Sequence, residues 1–183
     1  MKNLENETEG IWRPYGVQLE WTDAGGSESV ANGMSLEAIV EHQIEEPELK
    51  NRRSVLGRAF VRLDAPAPQP ILVSFDATEN VLARRTNDRG SFGLVDHDRE
   101  LARALGRVLA HEIGHVLLGA PYHDRDGLMR AAFRPNELAA LEDAPFRLTC
   151  DGVGRLKSRV GMLTEDPGFA IDRAPCIPRH QAR

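Results

Sequence analysis

His111 and His115 stand four residues apart, with Glu112 beside the first of them. On a helix that spacing turns the two imidazoles only about 40° around the axis, one turn above the other, so both rings reach a single metal ion from one side. Glu112 falls on the neighbouring stripe, where its carboxylate can act on a water at the ion without ligating it. A third histidine, His123, comes eight residues after His115, and Met129 follows six residues later in the run Asp126-Gly127-Leu128-Met129. Three neutral imidazoles on one ion leave a fourth position for water. The ion brings that water's pKa from about 15.7 towards about 7. Glu112 is then placed to take its proton during attack on a carbonyl and to hand it to the leaving amine. A G-x-S-x-G elbow, the mark of a serine nucleophile, does not occur in the chain.

The third ligand has competitors. Asp124 and Asp126 share the loop with His123, and Glu137, on the next expected helix, lies 22 residues past His115. His123 is preferred because histidine is the commonest metal ligand. Gly119 is also suited to end the helix in a left-handed conformation, which lets the chain turn back beneath the ion. The remaining histidines read as solvent-facing: His42 on the polar side of an expected helix, His97 just ahead of the central helix, and His180 in the tail. Tyr122 is weighed as an aid to an oxyanion against an ordinary packing role.

Helix, glycine, third histidine and methionine turn, in that order, resemble the metzincins. Leu118 stands where the metzincin pattern has its glycine, and His123 arrives two positions late. The form H-E-I-G-H-x-L-L-G-x-x-x-H followed by G-L-M is similar to a set of bacterial zincins, from about Tyr15 to Thr149 and most specifically over residues 109–131. The resemblance implies a zinc metallopeptidase acting on a protein or peptide substrate. It implies Zn2+ on His111, His115 and His123, Glu112 as general base, Met129 packed under the metal, and Gly119 closing the helix. Two other readings stand beside it. One is a cytosolic regulatory zincin of the repressor-cleaving type, which also carries an H-E-x-G-H-x-L-L helix. The other is a zinc-bearing binding module without turnover, which an intact Glu112 disfavours because a purely structural site closes with a fourth protein ligand.

The 183 residues suit one domain, and an apolar share of 41% is enough for a core at that size. A net charge of −5 argues against a nucleic-acid partner. No apolar run approaches the roughly 20 residues that span a bilayer. Residues 1–10 are polar and acidic and lack the apolar core of a secretory signal, so the compartment stays open between cytoplasm and export with a leader removed. Oligomeric state and substrate preference have no signature in the chain. Cys150 and Cys176 read either as a disulfide holding down the tail or as two unrelated thiols.

The expected fold class is α+β: a zincin-like single domain with a small twisted sheet on the active-site helix and a short, mainly helical C-terminal part. Residues 1–10 read as a polar extension, 11–163 as the catalytic domain, and 164–183 as a tail. Alternation predicts strands over Val17–Trp21, Val55–Leu63 and Ile71–Phe75. Either of the last two could carry an extended substrate by strand addition. Ser35 followed by Leu36, Ile39, Val40 and Ile44 predicts a helix stopped by Pro47. A helix is expected from about Ala77 to Arg85, then a loop over Thr86–Asp96. The central helix is expected to start near Asp98, with Leu101, Leu105, Val108, Leu109, Glu112 and Val116 on its buried face and His111 and His115 at the edge of that face. Pro135 opens a short helix ending near Asp143, and another covers Val153–Val160.

Overall fold

The computed structural model describes residues 1–23, 34–44, 55–60, 70–84, 94–119, 122–163 and 174–178, with the helical backbone alone at 94–95 and 160–163. These form five helices and a three-stranded sheet, a mixed α+β arrangement. The central element is α3 (Leu94–Leu118), which opens a turn ahead of the expected start. Its apolar positions Leu101, Ala104, Leu105, Val108, Leu109, Ile113 and Leu118 are all buried and form the spine of the core. Gly119 ends it at φ +77°, the left-handed conformation expected there, with its N–H on the His115 carbonyl at 3.1 Å.

One side of α3 is covered by α1 (Lys2–Trp12). Residues 1–10, taken as a polar extension, are therefore most of a packed helix. The acidic residues disguise an apolar stripe of Leu4, Thr8, Ile11 and Trp12 at helical spacing, and all four are buried. The Thr8 hydroxyl shares its proton between the Leu4 carbonyl at 2.9 Å and the Gly106 carbonyl at 3.1 Å, and the Trp12 indole donates to the Ala110 carbonyl at 3.2 Å, so both polar groups are satisfied where they are buried. Residues 17–21 are not a strand: no partner lies beside them among the described residues, and Val17 and Leu19 lean on the core as irregular chain.

The sheet has the order β1-β3-β2. β1 (Ala38–Glu41) pairs in parallel with β3 (Ile71–Ser74), in the register Ala38 to Ile71. This overturns the helix expected over Ser35–Ile44. Leu36, Ile39, Val40 and Ile44 fit a helical period, but Ile39 and Val40 are β-branched, and pairing with β3 decides the matter. β2 (Gly57–Arg58) is antiparallel to β3 and much shorter than the strand expected over Val55–Leu63, of which residues 61–63 lie outside the described set. Ile71 and Val73 of β3 are fully buried, as a central strand requires. The chain runs from β3 directly into α2 (Phe75–Ala83), close to the expected helix, with the Ser74 hydroxyl accepting the Ala77 N–H at 3.2 Å as cap.

After α3 come α4 (Pro135–Ala139), shorter than expected, and α5 (Cys150–Leu163), longer. Cys150 and Cys176 are bonded as a disulfide, which ties residues 174–178 of the tail to the start of α5. The expected loop over Thr86–Asp96 falls mostly outside the described residues, as does His180. No helix among the described residues is long and apolar enough to cross a membrane.

Candidate metal centre

The C-terminal half of α3 places His111, Glu112 and His115 on the rim of its buried face, at 6%, 6% and 8% exposure. The chain turns at Gly119 and returns with His123, which is exposed. His111, His115 and His123 each offer one nitrogen, and all three nitrogens lie within 4.8 Å of one another. The Nε2 atoms of His111 and His115 are 3.0 Å apart. Around a tetrahedral ion with bonds of about 2.0–2.1 Å, neighbouring nitrogens stand about 3.4 Å apart. The helical pair is therefore near a chelating spacing, and His123 stacks over His111 with ring centres 5.5 Å apart.

The tautomer of His111 follows from its partner. Its Nδ1 is 2.7 Å from the Leu128 carbonyl, which can only accept, so Nδ1 carries the hydrogen and Nε2 presents a lone pair to the cluster. Burial, with smaller contributions from His115 and His123, pushes the His111 pKa down to about 4, against the opposing pull of that carbonyl. At neutral pH the ring is uncharged, the state in which imidazole ligates. Two buried imidazoles and one exposed, converging with a fixed tautomer, fit a metal ion that prefers nitrogen.

Glu112 stands outside the ligand group and is held by β2. It accepts a hydrogen bond from the Ala59 backbone, and burial pushes its pKa up to about 7. Gly57 makes this approach possible: a Cβ there would lie 2.7 Å from Glu112 Cγ and Oε1, and 2.8 Å from Val108 Cγ1. Met129 is buried against Gly114, where a Cβ would overlap its sulfur. Its carbonyl accepts the Asp124 N–H at 2.7 Å, closing the turn that follows His123.

No protein-family model, curated protein or solved structure matches the chain.

The competing carboxylates are engaged elsewhere or stand apart. Asp124 accepts the Tyr122 hydroxyl at 2.6 Å and the Thr149 hydroxyl. Glu137 holds the Arg130 guanidinium at 2.6 Å and the Arg134 N–H at 2.9 Å. Neither they nor Asp126 belong to the converging group. Tyr122, bound to Asp124 and lying under the Arg155 guanidinium at 4.1 Å, is a packing residue. His42, exposed at the end of β1, pairs with Asp76 at 3.1 Å, and His97 lies 3.6 Å from Glu79; both are remote from the cluster, as expected. Sequence reasoning missed Gly57, Ala59 and the Leu128 carbonyl. The last two act through backbone atoms, which carry no residue-type signal. Gly114 had a signal: it is the glycine inside the histidine motif, and it faces Met129.

Proposed function

We propose that the chain is a zinc-dependent peptidase of the metzincin-like zincin kind, with His111, His115 and His123 as ligands and Glu112 as general base. The observation that carries this reading is the convergence of three imidazoles beside a buried carboxylate that does not join them. When bound there, zinc would acidify a water and polarise the scissile carbonyl. Glu112 takes the proton of the attacking water and returns it to the leaving nitrogen. Its burial favours the neutral acid it becomes once it has taken that proton. The Ala59 N–H fixes the direction in which the carboxylate points. His111 keeps its Nδ1 proton on Leu128, so its Nε2 is free for the ion.

β2 is the strand best placed to align an extended protein or peptide substrate. β3 is paired on both sides, whereas β2 pairs with β3 alone among the described residues and lies over Glu112. The disulfide favours an oxidising compartment over the cytosolic regulatory alternative. A silent zinc module would have no use for a buried, strand-held glutamate outside the ligand set.

Elemental analysis of protein purified without chelator, and again after zinc addition and dialysis, tests the reading. About one zinc per chain is expected. A value near zero that zinc addition does not raise would overturn it.

A further inference from the structure

One imidazole, and the two chain neighbours of another, are joined by separate hydrogen-bond routes to one short stretch, residues 147–150. On the first route His111 donates to the Leu128 carbonyl at 2.7 Å, and the Leu128 N–H donates to the Arg147 carbonyl at 2.8 Å. On the second, the Thr149 hydroxyl donates to Asp124, whose same oxygen accepts the Tyr122 hydroxyl at 2.6 Å. Tyr122 and Asp124 flank His123 in the chain. The Gly152 N–H donates to Thr149 Oγ1 at 3.1 Å, leaving the hydroxyl proton for Asp124. His123 is exposed, and apart from its ring contacts with His111 and His115 its place follows from these two neighbours.

The stretch is itself fastened. The Leu148 N–H donates to the Tyr15 hydroxyl at 2.7 Å. Ile177 lies alongside it, its N–H on the Leu148 carbonyl and its carbonyl on the Cys150 N–H, both at 3.0 Å. The Cys150–Cys176 disulfide closes this pairing next to Ile177. Neither Thr149 nor the disulfide touches the histidines, and neither was part of the sequence reading of the site.

We propose that residues 147–150, latched by the Thr149–Asp124 bond and by the Cys150–Cys176 disulfide, position His111 and His123 and thereby set metal affinity. The proposal rests on the reading that the histidines hold a metal. Thr149 and the cysteines are positioning residues: they reach the ion only through Asp124, Leu128 and the backbone.

The test uses the full chain stripped of metal. Co2+ is titrated and followed by its visible spectrum, and Zn2+ by competition with a chromophoric chelator. Thr149→Val and the pair Cys150→Ser with Cys176→Ser are expected to bind both ions about 10–100-fold more weakly, the loss typical when a ligand's outer support is removed. Their Co2+ bands should shift, because the ligands are displaced. Thr149→Ser, which keeps the hydroxyl, should bind and absorb as wild type does. Circular dichroism of the metal-free forms checks folding, and should Thr149→Val fail to fold, the serine pair carries the test. If wild type binds tightly while the folded variants match it in affinity and spectrum, the latch is overturned and the metal reading stands. If wild type takes up neither ion, both fall together.

Discussion

At the scale of single residues, Glu112 and His111, two buried groups side by side in the chain, have pKa values displaced in ways that pull stability in opposite directions. The folded pKa of Glu112, about 7 against 4.5, is raised, so its contribution is fully present below pH 4.5 and is lost as pH rises through 7. The folded pKa of His111, about 4 against 6.5, is lowered, so its contribution is present above pH 6.5 and is lost as pH falls through 4. Between about pH 4.5 and 6.5 the two slopes nearly cancel. Glu112→Gln removes one of them. The metal-free variant should therefore gain stability steadily from pH 4 to 6.5, where metal-free wild type changes little. At pH 8 it should exceed wild type by about 3 kcal/mol, at about 1.4 kcal/mol per pKa unit. Urea unfolding across pH measures this, and parallel curves for the two proteins would count against it. The same substitution, at full zinc load, should lower peptide turnover by about 10²–10⁴-fold, since the amide cannot take the water's proton. Unchanged turnover would remove Glu112 from the chemistry.

At the scale of elements, β2 is short but sits on Glu112. Gly57→Ala places a methyl 2.7 Å from the Glu112 carboxylate and should displace it while leaving the three histidines in place. Zinc content should stay near wild type while turnover falls by about 10²-fold, the cost of moving a reacting group by roughly 1 Å. Comparing metal content and turnover on the same preparation checks both halves. The strand also marks where the sequence could be read and where it could not. His111 and His115 were legible because helical spacing alone brings them together, and Gly119 because a helix end needs few residues to declare itself. β3 and α2 were legible for the same local reason. β1 was not: its residues fit a helix on their own and become a strand only against Ile71–Ser74, about thirty residues on. The contact of Gly57 and Ala59 with Glu112 joins elements more than fifty residues apart, and no local period announces it.

At the scale of the molecule, α1 and α3 are joined by more than apolar burial. Arg107 is wholly buried. It meets Glu7 at 2.7 Å, the carbonyls of Glu137, Leu138 and Glu142 at 2.6–3.2 Å, and the face of Phe146 at 4.3 Å. Four of its five N–H donors and one face of its guanidinium are answered, the kind of pairing that lets a charge stay out of water. Trp12, fully buried, packs edge-on against Tyr15 and is the largest buried side chain of α1. Trp12→Ala should cost about 3–5 kcal/mol by thermal or urea unfolding, the usual range for emptying such a site. A loss below about 1 kcal/mol would show that α1 contributes little to the fold.

The position of α1 in the chain has a consequence for synthesis. The α3 carbonyls that Thr8 and Trp12 meet, those of Gly106 and Ala110, lie 98 residues downstream. A ribosome working at about 5–20 residues per second needs roughly 5–20 s to make that stretch. Eleven residues are too few to hold a helix alone in water. For all of that time Leu4, Ile11 and Trp12 lack the α3 surface that covers them, so the segment waits as an uncommitted apolar stripe and can settle only once residues 101–113 have been made.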